Sequence, residues 1–194
     1  MSKRGRTQTG GTTGKNASFE SLYAAHHQAV LAYCARRASR SDAWDAASEA
    51  FLVAWRRFDD VPPHEEARAW LLGVAYRVLA NQRRSAQRRG RLVRRVAGSV
   101  DGRPASPDAQ LIRNEEESEV IDALSRLRPL DREIITLTLW EELPPRAIAE
   151  VLGISRAAVD QRYSRARRRL SQELAKKRLT KGRATQVTNE EGTT

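Results

Sequence analysis

The stretch from Pro144 to Leu174, PPRAIAEVLGISRAAVDQRYSRARRRLSQEL, leaves the chain fewer choices than any other part of it. Ile148, Val151 and Leu152 recur at helical spacing, so a short helix over Pro145–Leu152 turns one apolar edge toward a core. Gly153 then supplies the left-handed backbone that other residues avoid. Ala149 is small enough for a second helix to cross close by, Ile154 fills the gap, and Ser155 is an N-cap. The second helix buries Val159, Tyr163, Ala166, Leu170 and Leu174, spaced by four, three, four and four. Its other face carries Arg156, Ala157, Asp160, Gln161, Ser164, Arg165 and Arg168. Turn, cap, spacing and charge agree on a helix-turn-helix. Its second helix suits the DNA major groove, with N-terminal residues on base edges and later arginines on phosphates. An ordinary helical hairpin with a solvated charged face is the plain alternative, and it leaves the spacing of Ala149, Gly153 and Val159 unexplained.

Elsewhere the apolar residues also recur at helical spacing, and no convincing alternating strand appears. A first helix is predicted from Ser18, carrying Phe19, Leu22, Tyr23, His26, Val30, Tyr33 and Cys34 on one stripe. A second follows Ser41 and turns Trp44, Phe51 and Trp55 to the core. Asp59, Asp60 and then Pro62-Pro63 end it, because proline lacks a donor and restricts the residue before it. A third runs from about Glu65 to Arg89 with Ala67, Trp70, Leu71, Val74, Val78 and Leu79 as its apolar side. Trp70 is tempting as a stacking platform, but its place on that stripe assigns it to the core. Residues 98–108, GSVDGRPASPD, break every periodicity. Ser106-Pro107 reads as a cap and first-turn proline, and helical pattern resumes through Leu111, Val120, Ile121, Leu124 and Leu127. A shorter helix after Pro129 carries Leu130, Ile134 and Leu137. The fold class expected is all-α: two small helical domains, 18–97 and 115–178, joined by a flexible linker at 98–114. A disordered basic arm at 1–17 and a disordered tail at 179–194 flank them.

The formal net charge of +11 and a pI near 10.7 point to polyanions as partners, nucleic acid first and an anionic membrane surface second. Arginine far outnumbers lysine, which genomic base composition alone can produce, so position matters more than total. Cys34 is the single cysteine, which excludes an intramolecular disulfide and suits a reducing compartment. No apolar run approaches a membrane span, and Met1 to Asn16 lacks the apolar stretch of a signal peptide, so a cytoplasmic protein without membrane insertion is expected. His26-His27 with Cys34 lack the spacing of a metal site. There is no phosphate-binding glycine loop and no nucleophile constellation. The expectation is a protein with no cofactor, no metal and no catalytic residues: not an enzyme.

Two separated segments resemble one family. DAASEAFLVAWRRF (Asp45 to Phe58), a Pro-containing loop and ARAWLLGVAYRVLANQRR (Ala67 to Arg84) resemble the σ2 domain of extracytoplasmic-function (ECF) RNA polymerase sigma factors. The helix-turn-helix, preceded by LRPLDREIITLTLWEEL, is similar to their σ4 domain. The resemblance covers about Ser18 to Lys177. It implies that Asp45, Ser48, Glu49 and Leu52 meet the clamp helices of the polymerase β′ subunit. It implies that Arg77, Asn81, Arg84 and Arg88 face the minus-ten element, while the loop from Asp60 to Glu66, with His64, shapes a pocket for a flipped base. The recognition helix would read the minus-thirty-five element. Core RNA polymerase (β′ clamp helices and β flap), promoter DNA and an anti-sigma factor are the partners implied. The family usually has Gln where this chain has Ser48, and often Lys where it has Asp160; a carboxylate there can accept from cytosine's amino group.

Two other readings compete. A freestanding helix-turn-helix regulator explains the second domain and leaves the first without a purpose. A basic nucleic-acid-binding scaffold leaves the helix-turn-helix spacing unexplained.

Overall fold

Ser39 accepts a hydrogen bond from the Asp42 amide at 3.2 Å and so fixes where the second helix begins. The same kind of local signal punctuates the whole chain. The computed structural model describes residues 10–63, 65–97 and 115–190. It falls into two units, residues 1–109 and 110–194. The first contains α1 (Gly10–Ala35), α2 (Arg40–Arg56), a 3-10 turn (Phe58–Asp60) and α3 (Glu65–Ala97). The second contains α4 (Glu115–Ser125), α5 (Pro129–Leu139), α6 (Pro145–Leu152) and α7 (Arg156–Glu190). No strand occurs among the described residues. The expected linker, 98–114, with Ser106-Pro107 and Leu111, lies outside them.

In the first unit the three helices pack pairwise. The buried edge of α2 is almost wholly alanine (Ala43, Ala46, Ala47, Ala50 and Ala54), which lets its neighbours approach closely. Bulk comes from the partners: Val30 and Tyr33 of α1, Leu71 and Leu72 of α3. Phe19 binds the far end together, meeting Trp55 edge-on at 5.0 Å, Phe58 at 6.2 Å and Phe51 at 6.4 Å.

Four expectations need correcting here. Trp44 is not in the core: it is 48% exposed, with the His27 ring 5.9 Å away. Trp55 and Trp70 are half-buried rather than enclosed. The first helix starts at Gly10, not Ser18. Lys15 lies 5.2 Å from the Trp55 ring and 5.9 Å from that of Phe58, and such tertiary contacts extend a helix through residues of poor propensity. Residues 1–9 of the expected arm are outside the described residues. At the other end α7 runs on to Glu190, through most of the expected tail; no proline follows Pro145 to interrupt its donor ladder.

In the second unit Leu124, Leu127, Ile135 and Ala166 form a core against which Tyr163 and Leu170 pack. Arg132 closes the end of α4, donating to the Leu124 carbonyl at 2.7 Å and also to that of Ser125. Pro129 and Pro145 each open a helix, where a missing donor costs nothing. Gly153 ends α6 in the left-handed region, at φ 66° and ψ 37°. Glu142, at φ 53°, is the other described residue with positive φ, and it carries a side chain.

That contrast can be tested by urea unfolding of the full chain. Gly153→Ala is expected to cost about 1–2 kcal/mol, the penalty of left-handed backbone for an L-residue. Glu142→Gly is expected to raise stability by up to about 1 kcal/mol, since relief of the same strain outweighs the added chain entropy.

Candidate nucleic-acid interface

In the second unit the helix-turn-helix closes as its residues require. Ile148, Val151 and Val159 are buried where α6 and α7 cross. The Ile154 amide donates to the Ala149 carbonyl at 3.1 Å, tying the turn to α6. Ser155 Oγ accepts from the Ala158 amide at 3.2 Å, which sets the first turn of α7. With the inner side of α7 held this way, Arg156, Ala157, Asp160, Gln161, Ser164, Arg165 and Arg168 are all exposed. Positions 156, 160, 164 and 168 fall four apart and so share one face.

The arginines of α7 are not equivalent. Arg162 donates to Asp131 of α5 at 2.8 Å and is only 34% exposed, so it braces α7 against α5. Arg165 Nε donates to the carbonyl of Gln161 at 3.3 Å within its own helix. Arg156 Nε lies 3.8 Å from Asp160 Oδ2. Further along, Glu173 accepts from Arg126 at 3.0 Å, and hydrogen bonds from Arg126 and then Lys176 hold its carboxyl below the usual range. Neither the Arg162 nor the Arg126 brace was read from the sequence. Both join residues far apart in the chain, so no local spacing announces them.

In the first unit Arg77, Asn81, Arg84 and Arg88 form one exposed stripe along α3. Arg84 donates to Asn81 Oδ1, and Arg88 to Ser85 Oγ at 3.1 Å, so two guanidiniums are aligned by neighbours one turn back. Arg83 is different: it donates to the Arg37 carbonyl at 2.9 Å, just beyond the end of α1. Asp60 is exposed and paired with Arg57 at 2.8 Å. His64 lies outside the described residues. On α2, Asp45, Ser48, Glu49 and Leu52 share one exposed face, with Leu52 40% exposed. A groove between α2 and α3 has Asp45 and Glu49 on one wall and Arg77 and Asn81 on the other.

Two groups of α1 have shifted titration, the half-buried His26 and the buried Cys34. Burial, and then the charge of Arg68, lowers the pKa of His26. Burial pushes the Cys34 thiol up to about 11, against the opposing pull of Arg37 and Arg36.

Comparison with known proteins places both units. Residues 22–89 match the family described as Sigma-70 region 2, and residues 117–170 match Sigma-70, region 4. The RNA polymerase sigma factor CnrH of Cupriavidus metallidurans is 31% identical over 170 residues, covering 82% of this chain and 87% of that protein. The ECF RNA polymerase sigma factor SigL of Mycobacterium tuberculosis is 29% identical over 168 residues, covering 84% and 92%. The structure of CnrH in complex with the cytosolic domain of CnrY matches with TM-score 0.58 and 27% identity, over 84% of this chain and 91% of that one. The sigma factor RpoE in complex with the anti-sigma factor NepR, from Bartonella quintana, shares the fold with TM-score 0.63 and 24% identity, over 81% and 97%.

The two kinds of arginine on α7 should separate in a thermal melt. Arg162→Ala is expected to lower stability by about 1 kcal/mol, as for a half-buried ion pair. Arg165→Ala, on the open face, should leave the melt within about 0.5 kcal/mol of the parent.

Proposed function

The chain belongs to the ECF RNA polymerase sigma factors, and from that premise we propose which surfaces do which work. It directs RNA polymerase to promoters for transcription initiation. Members of this family are initiation factors, not enzymes in the ordinary sense; bond formation in RNA belongs to the polymerase.

In the proposed reading, residues 18–97 serve core polymerase and the minus-ten element, and residues 115–178 serve the minus-thirty-five element. Arg156, Ala157, Gln161 and Ser164 meet base edges in the upstream major groove, with Asp160 among them on the same face, while Arg165 and Arg168 meet phosphates. Arg77, Asn81, Arg84 and Arg88 track the minus-ten strand, and the loop from Asp60 to Glu66, including His64, receives an extruded base. Asp45, Ser48, Glu49 and Leu52 meet the β′ clamp helices, and the second unit meets the β flap. The observation that carries this reading is the exposure of two aligned arginine-bearing helix faces, one in each family-matched segment. Each is a small surface, suited to acting with polymerase rather than alone. CnrH is held by the cytosolic domain of CnrY, which supports a protein partner for this chain as well, and the one proposed is an anti-sigma factor. Its proposed action on promoter DNA supports a cytoplasmic location; among the described residues no helix is long and apolar enough to cross a membrane.

Run-off transcription with core polymerase on genomic fragments tests the reading: discrete transcripts that require the chain support it, and none above core alone contradicts it. The loop has its own test. Replacing His64, Glu65 and Glu66 together with Ala is expected to spare polymerase binding and reduce opening of duplex promoter, read by permanganate reactivity of unpaired thymines. A template mismatched across the minus-ten region should recover part of the loss, since unstacking, on the order of a few kcal/mol, is removed in advance. Equal opening of duplex by both proteins would show the loop to be only a connector.

A further inference from the structure

Among the exposed residues of the recognition face, Asp160 is the one acidic group, and the residue it faces is Arg156. On the reading that α7 occupies the major groove, we propose that Asp160 is a positioning residue: it holds Arg156 so that the pair reads one guanine of the upstream element.

The contact geometry gives the reason. It is Nε of Arg156 that lies 3.8 Å from Asp160 Oδ2. An acceptor on that side leaves the two terminal nitrogens of the guanidinium open as a donor fork. Guanine presents two acceptors, N7 and O6, on its major-groove edge, and an end-on arginine fork matches them. The location also suits base reading. Arg156 opens α7 immediately after the Ser155 cap, in the turn of a recognition helix that meets base edges, and Asp160 lies one turn on along the same face. A carboxylate amid phosphates is repelled unless a cation stands beside it, and here one does. Arg165 and Arg168, further along, have no carboxylate within 4.0 Å among the described residues, as suits contacts to phosphate.

In water this pair does little, with its side chains 72% and 54% exposed. Its effect belongs to the groove, where displaced water no longer competes and a fixed guanidinium loses less freedom on binding. The arrangement also explains a departure from the family pattern, a carboxylate where lysine is frequent: Asp160 need not meet the DNA at all.

The test is a selection over randomised upstream elements using full-length protein with core polymerase, for the parent, Arg156→Ala, Asp160→Ala, Asp160→Asn and the Arg156→Ala/Asp160→Ala double variant. The parent is expected to select an upstream motif containing a guanine. Arg156→Ala should abolish the preference for it. Asp160→Ala and Asp160→Asn should weaken preference at that same position by roughly three- to tenfold, and the double variant should be no worse than Arg156→Ala. Because removing a negative charge cannot weaken phosphate attraction, affinity of the Asp160 variants for unrelated DNA should hold or rise. Relaxation of two different positions by the two single variants would overturn the proposal and make Asp160 a direct reader, of cytosine. An unchanged profile in the Asp160 variants, or a shared position that is not guanine, overturns it equally. If the parent with core polymerase selects no upstream motif, the sigma-factor reading of α7 fails as well, and that result is distinct from the others.

Discussion

The crossing of α6 and α7 depends on one backbone conformation. At Gly153 the chain turns through the left-handed region, and the next amide, Ile154, reaches back to the Ala149 carbonyl at 3.1 Å. This reversal lets Ile148 and Val151 meet Val159 in one buried contact. Everything outward follows from it. With Val159 and Ala166 facing inward, the 3.6-residue period leaves Arg156, Asp160, Ser164 and Arg168 no choice but solvent. The face proposed to read DNA is therefore the complement of a small hydrophobic core, and the turn aims it.

Charge is partitioned just as strictly. A net +11 invites the idea that every arginine serves nucleic acid, and the structure divides them. Arg132 satisfies the carbonyls that α4 leaves open, Arg162 braces α7 on Asp131, and Arg37 lies 3.6 Å over the Tyr33 ring while taking the Tyr33 carbonyl. Arg83 holds the segment after α1. These arginines hold helix ends and helix pairs in domains too small to rely on apolar burial alone. The outward ones, Arg77, Arg84 and Arg88 on α3 and Arg165 and Arg168 on α7, are those that local helical spacing already aligns.

Local rules carried the sequence reading well where the determinants are local. Pro145, Gly153 and Ser155 bound α6 and start α7 at the residues expected, because a proline, a left-handed turn and a cap each act within a few residues. Helical period also placed the exposed faces of α2, α3 and α7. Tertiary contacts stayed hidden. Trp44 shares its stripe with Phe51, yet only Phe51 is enclosed, since what decides is the bulk α1 offers opposite each. Residues 10–17 have the composition of a loose arm, and their helix is supported by Lys15 over Trp55. The Asp131–Arg162 pair spans 31 positions, beyond any spacing rule.

Division of promoter reading between two small surfaces is the central claim, and footprinting tests it most directly. A promoter fragment is probed with the chain alone, with core polymerase alone and with both. Two separated faces that polymerase must hold in register give protection at both the minus-thirty-five and minus-ten elements only when both proteins are present. Clear protection of a specific site by the chain alone at nanomolar concentration would contradict that claim and favour a freestanding regulator.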